Sequence, residues 1–274
     1  MMTSANPAVD LEAATRNQQV TWSQGDFHEI SRLNVVMAEA VCDAAELHAG
    51  EQVLDVACGS GPAALAAARR YCRVTGIDFV PSLLERARAR AGVDGLDAEF
   101  VEADAQDLPF ADDAFDAVLS VYGVQFAPDQ QCAARELVRV TRPQGRIVLA
   151  SPVPHGWSGD FFAVHGRHNP PAPGLASPLR WGTDEGLAEL FGDAAVRIDS
   201  ELRPALQYWH STGHAVEVFR RWFGPTLRAA EVLDDDGRRT LWADLEEVFQ
   251  RYDRSPDDTA VVENTYLLTT ITVG

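Results

Sequence analysis

The sequence predicts an α/β protein, a doubly wound and mostly parallel sheet with a helical cap or lid. Three observations carry this. Apolar strands alternate with helical segments through the first half of the chain, as in a parallel sheet covered on both faces. The first strand runs through a glycine turn, "QVLDVACGSGPAAL" (52–65), into an alanine-rich helix. Beyond Ser151 the composition turns to Pro, Gly and aromatics and then to further helices.

Taken in order, "MMTSANPAVDLEAATRNQQ" (1–19) has the composition of a loosely ordered lead-in. In "HEISRLNVVMAEAVCDAAELHA" (28–49), Ile30, Leu33, Met37, Ala40, Ala44 and Leu47 recur at helical spacing. A strand at 52–57 and a helix at 61–70 follow, with Pro62 acceptable in a first turn that has no amide bond to lose. Next come a strand at 72–78, a helix from Pro81 to about Arg90, strands at 98–104 and 115–122, a helix at about 129–140 and a strand at 145–152. Residues 151–182 read as a long irregular lid or substrate loop. A short helix capped by Thr183, a strand at 195–209, helices at about 212–230 and 237–252 and a last β-branched strand at 261–274 close the chain. This divides it into a lead-in and closing segment (1–28), a core (29–151) and a cap with the last strands (152–274).

Bulk properties exclude several function classes. The net charge is −18 and every basic side chain is Arg, so a phosphate backbone would be repelled and no nucleic-acid partner is expected. No apolar run is long enough to span a membrane, and the N-terminus lacks a basic start followed by an apolar stretch, so a cytoplasmic protein is expected. Cys42, Cys58, Cys72 and Cys132 form no C-x-x-C pair and read as free thiols. His165-x-x-His168 and His210-x-x-x-His214 have ligand-like spacing, but no acid lies in either gap and Gly213 interrupts the second, so no metal is expected.

The glycine turn allows two ligands. Gly59-Ser60-Gly61-Pro62-Ala63-Ala64 fits the dinucleotide pattern G-x-G-x-x-A. Asp55 to Gly61 fits, with one substitution, the acidic-x-G-x-G-x-G loop that binds S-adenosylmethionine. Asp78, 23 residues after Asp55, can take ribose hydroxyls in either class. Asp104, at the end of the third strand, separates them. With it, "VLDVACGSG", "VTGIDFVPSLLERAR", "EADAQDLPFADDAFDAVLS" and "RELVRVTRPQGRIVLA" over 53–150 resemble the class I S-adenosylmethionine-dependent methyltransferases. The likeness is to their ubiquinone/menaquinone C-methyltransferase-like (type 11) group.

The resemblance implies a seven-stranded sheet whose last strand is antiparallel, with S-adenosylmethionine as cofactor. It assigns Gly59 and Gly61, with Ser60 between them, to the methionine part, and Asp55 to the region of its ammonium. Asp78 would bind the ribose hydroxyls, Phe79 would flank the adenine, and Asp104 would accept from the adenine amino group beside Ala105 and Gln106. Ser120 would line the methionine end. Ala57 stands where the family commonly has glycine, a harmless change if its φ is negative. "TWSQGDF" (21–27) resembles a segment that closes over the cofactor, which makes Trp22, Gln24 and Gly25 candidate contacts.

His155, His28 and Tyr122 are the candidate catalytic residues, as bases near the strand ends or the closing segment. The acceptor is expected to be a mainly apolar small molecule, neutral or cationic, with the choice among O, N and C left open. Val216, Phe219, Phe223 and Leu227 share one helix face, which either lines the substrate site or seals the core. Two rivals stand beside methyl transfer: a protein of this fold that binds the cofactor for other chemistry or none, and a nicotinamide-dependent oxidoreductase.

Overall fold

A computed structural model describes residues 10–274. Its strands are β1 (Gln52–Val56), β2 (Arg73–Asp78), β3 (Ala98–Glu102), β4 (Phe115–Val121), β5 (Thr141–Pro152), β6 (Ala195–Trp209) and β7 (Ala260–Val273). They form one seven-stranded sheet in the order β3-β2-β1-β4-β5-β7-β6. The first five are parallel, while β7 runs antiparallel to both β5 and β6. Strand order reverses between β1 and β4, and ligand crevices of open α/β sheets lie at such a switch point, beyond the carboxyl ends of the strands.

The helices are α1 (Leu11–Trp22), α2 (Phe27–Ser31), α3 (Val35–Ala44), α4 (Pro62–Arg69), α5 (Pro81–Asp94), α6 (Gln130–Val140), α7 (Gly156–His168), α8 (Asp184–Phe191), α9 (Thr212–Trp222), α10 (Gly224–Glu231) and α11 (Asp235–Tyr252). Small side chains let α4 sit close to the sheet, and Ala63 through Ala68 are all buried there with Met37 and Val41 of α3. The opposite face packs Leu54, Val118 and Leu137 with Trp181 and Phe191. A third cluster, around Trp157, Phe161, Phe219 and Phe249, is the core of the cap.

The structure departs from the sequence-based expectations at several places. Residues 1–9 lie outside the described residues, but 11–22 form a helix and not a loose lead-in. The Asp10 carboxylate caps it by accepting the Ala13 amide at 2.9 Å, and Gln19 Nε2 donates to the Phe79 carbonyl at 2.8 Å. These tertiary contacts hold a helix whose surface is too polar to announce itself. The helix expected over 28–49 breaks at a 3₁₀ turn, Arg32–Asn34, where Ser31 Oγ bonds to the His28 carbonyl and to Ser60 Oγ. Residues 156–168 are helical, and the irregular stretch shrinks accordingly. Trp157, Phe161, Val164 and His165 bury one face of α7 despite its three glycines.

The helix expected over 212–230 also breaks, between Trp222 and Gly224. A Cβ on Gly224 would stand 2.0 Å from the Thr21 carbonyl oxygen. A Cβ on Gly25, whose φ is +70°, would stand 2.5 Å from the Trp222 carbonyl oxygen. The two glycines thus let the end of α1 and the α9–α10 corner meet backbone to backbone. Gly224→Ala is expected to cost about 1–3 kcal/mol through this collision. Hydrogen exchange checks it: amides of α1 should exchange faster while those of β1–β5 keep their protection.

Candidate functional site

The carboxyl ends of β1–β4 open into a solvent-connected cleft with about 610 Å³ of empty space, open solvent included. Ala57 and Gly59 come from the β1 turn, Asp78 and Phe79 from the end of β2, and Asp104, Ala105 and Gln106 from the end of β3. Tyr122 and Phe126 follow β4, and Thr15, Gln18 and Trp22 of α1 form the roof.

Asp78 is the anchor. Its Oδ2 accepts the Gly59 amide and its Oδ1 the Val80 amide, each at 2.9 Å. Burial pushes its pKa up to about 6, against the pull of these amides. Asp78 lines the cleft, and a carboxylate there is an acceptor suited to a pair of hydroxyls. Asp104 accepts the Gln106 amide at 2.9 Å, and Gln106 Nε2 also donates to Thr15 Oγ1 at 3.0 Å. Asp129, which caps α6, donates its amide to Gln106 Oε1 at 2.8 Å. Gln106 therefore ties the roof, β3 and α6 together.

Asp55 is 1% exposed and accepts the Ala64 amide at 2.8 Å, capping α4 from inside the sheet. Burial pushes its pKa up to about 7, and the charge of Asp78 adds to the rise. It borders a smaller neighbouring cavity with Ser31, Asn34, Ala57 and Gly59, and is absent from the main cleft wall. Ala57 has φ +54°, so the harmless substitution expected here is a strained one, costing about 1–2 kcal/mol against glycine. Its Cβ also dictates the residue opposite. A Cβ on Gly123 would lie 2.8 Å from that of Ala57 and 3.0 Å from Ser120 Oγ.

Several expected contacts lie elsewhere. Ser120 Oγ is buried beneath the loop, donating to the Val56 carbonyl at 2.8 Å and accepting the Val124 amide at 3.0 Å. Ser60 is buried against His28, Ser31 and Arg90, and Gly61 faces Ala87 and Phe100. Gln24 donates to Glu231 at 2.7 Å and Gly25 meets the α9–α10 corner, so of the closing segment only Trp22 and Phe27 reach the cleft.

Of the three catalytic candidates, Tyr122 alone lines the cleft. His155 is exposed, because α7 starts at the next residue and turns it to solvent. The His28 Nδ1 lies 2.9 Å from Ser60 Oγ, and burial, with Arg90 and Arg86, lowers its pKa. The Tyr122 hydroxyl donates to Asn264 Oδ1 at 3.3 Å, and burial holds it well above the usual phenol range, so it serves as a donor and not as an anionic base.

Tyr122, Trp22, Phe27 and Phe126 also line a second chamber, with about 450 Å³ of empty space, open solvent included. Trp157, Phe161, Phe162, Phe219 and Phe223 form its aromatic shell, and Asn34, Gln207 and Asn264 are its other polar residues. Phe219 and Phe223 thus both line a site and belong to the cap core. Gln207 and Asn264 were missed from sequence. Their signal was alternation: each sits at an inward strand position between apolar neighbours, Ala205-x-Gln207-x-Trp209 and Val262-x-Asn264-x-Tyr266. Among the described residues, no helix is long and apolar enough to cross a membrane.

Comparison with known proteins places these features in a family. Residues 54–149 match the model of a methyltransferase domain. An uncharacterized protein of Mycobacterium tuberculosis is 34% identical over 272 residues, 98% of each chain. The demethylmenaquinone methyltransferase of Thermus thermophilus is 41% identical over 121 residues, 43% of this chain and 55% of that one. Among solved structures, the Haemonchus contortus phosphoethanolamine N-methyltransferase 2, in complex with phosphomonomethylethanolamine and S-adenosylhomocysteine, superimposes with a TM-score of 0.61 at 17% identity, covering 98% of this chain and 62% of that chain.

The two raised carboxylates make stability depend on pH. Native pKa values above the unfolded value of about 3.9 mean that the folded state holds protons that the unfolded state has released. The contribution is full below about pH 4 and is lost as pH rises through about 6 for Asp78 and about 7 for Asp55. Asp55→Asn should therefore gain on the parent protein by up to about 1.4 kcal/mol per pH unit, levelling off above about pH 7. Urea titrations of both proteins between pH 4.5 and 8 read this out.

Proposed function

Because the chain belongs to the class I S-adenosylmethionine-dependent methyltransferases, we propose that it holds S-adenosylmethionine in the cleft and methylates a mainly apolar small molecule in the aromatic chamber. The observation that carries this is the shared wall: Trp22, Phe27, Tyr122 and Phe126 line both cavities, so an occupant of one abuts an occupant of the other.

The cleft residues suit the cofactor. Asp78 offers two carboxylate lone pairs to the ribose hydroxyls, Phe79 an apolar flank to the adenine, and Asp104 an acceptor for the adenine amino group. Gly59 keeps the backbone open to the methionine part. When bound, the cofactor supplies an electrophilic methyl on a positively charged sulfur. The protein's part is to align a nucleophile with it and to exclude water, and such positioning can supply roughly 7–11 kcal/mol of the barrier. The aromatic shell serves both ends. Among the described residues, no carboxylate or imidazole lines the chamber, so the acceptor must bring a free lone pair or a proton acidic enough to pass to solvent. For the same reason a neutral acceptor fits better than an ammonium, which would be desolvated without a counter-charge.

Asp78→Ala removes the ribose contacts and should weaken S-adenosylhomocysteine binding by about 1.5–3 kcal/mol, on the order of 10- to 150-fold. Calorimetric titration measures it, and an unchanged dissociation constant in a folded variant would remove Asp78 from the site. The acceptor class is tested by a panel assay following S-adenosylhomocysteine release. Turnover is expected on neutral, hydrophobic small molecules; turnover on transfer or ribosomal RNA alone would overturn the assignment.

A further inference from the structure

The aromatic chamber is lined by residues with polar atoms that nothing among the described residues satisfies. Gln207 is 3% exposed and its Oε1 has no hydrogen-bond partner. Trp157 is 4% exposed and its indole Nε1 likewise has none. Of the described buried side chains with unpartnered polar atoms, these two line the chamber. Buried amides are almost always paired, and one left bare destabilises the fold, so an orphan amide on a residue that lines the chamber calls for a partner.

The fold gives this amide a fixed position. Gln207 lies in β6 opposite Val262 of β7, and Asn264 lies opposite Ala205, so the two amides are diagonal neighbours on one sheet face. Asn264 has other duties: its Oδ1 accepts from Ser158 Oγ at 2.7 Å and from the Tyr122 hydroxyl at 3.3 Å. Gln207 has none. A side chain on a paired strand is held more rigidly than one on a loop, as a recognition group requires.

We infer that Gln207 sets the specificity of the chamber, with its amide oxygen accepting a hydrogen bond from an O–H or N–H group on a neutral, mainly apolar acceptor molecule. The aromatic walls give affinity for many apolar compounds and discriminate poorly among them, while an unpaired acceptor rejects an analogue that lacks the donor.

This rests on the chamber being the acceptor site, so it is tested without a methyl donor, and failure of turnover or of S-adenosylhomocysteine binding leaves its outcome readable. The probes are 4-phenylphenol and 4-fluorobiphenyl, nearly equal in shape and differing in one hydroxyl donor. The parent protein should bind the phenol at least about 10-fold more tightly by calorimetry. Gln207→Met, close in volume and apolar, should bring the two probes within about 2-fold of each other and leave S-adenosylhomocysteine affinity unchanged. It should also raise the melting temperature of the ligand-free protein, since it removes an unpaired buried amide. Equal binding of the probes by the parent protein, no binding of either, or a preference retained in Gln207→Met would overturn the inference. A lowered melting temperature in both Gln207→Met and Gln207→Leu would make the amide a structural group and overturn it equally.

Discussion

The Asp78 carboxylate accepts the backbone amide of Gly59, and that bond fixes the turn after β1 against the end of β2. Much of the cleft follows from it. With the turn held there, Ala57 is left at positive φ, its Cβ fills the space opposite, and the loop after β4 can pass only because residue 123 has no side chain. Ser120 then bridges the Val56 carbonyl and the Val124 amide beneath the loop. Asp55 supports the same turn from the other side through the first turn of α4. Burial raises the cost of ionising both acids, the charge of Asp78 adds to it for Asp55, and among the described residues backbone amides are bonded to them. A ligand bringing positive charge to the cleft would relieve that cost.

The cap follows a different logic. Its core is a set of aromatic contacts, such as Trp157 stacked on Phe161 at 4.6 Å and Phe161 edge-on to Phe219 at 4.9 Å, which extend without a break into the chamber wall. Trp22 joins the two halves, with Phe126 of the β4 loop at 4.8 Å and Phe223 of the α9–α10 corner at 5.7 Å. The roof helix is thus held at one end by the cap and along its length by the Gln19 and Thr15 hydrogen bonds.

The sheet, its crossovers and the acids at the strand ends were legible in the sequence, because each rests on local patterns: apolar runs, a glycine turn, an acid where a strand stops. The errors have a common cause in register and direction, which local patterns do not carry. His155 follows β5 closely in sequence, yet α7 begins at once and carries it outward. Ser120 and Gly61 stand at the expected points of the chain but face inward. Gly25, expected as a cofactor contact, meets the Trp222 backbone. The glycines and prolines around α7 masked three apolar positions at helical spacing, Trp157, Phe161 and Val164. Gln207 and Asn264 looked like ordinary strand residues until pairing with the neighbouring strand fixed the face on which they lie.

The cleft and the chamber share one wall and differ in the rest. The cleft takes its walls from residues 15–128, while two polar residues of the chamber, Gln207 and Asn264, belong to β6 and β7, which extend the sheet beyond β5. Substitutions at inward positions of these two strands can therefore accumulate without touching the turn that Asp78 holds. A laboratory library confined to those positions would reshape the chamber wall while leaving that turn in place.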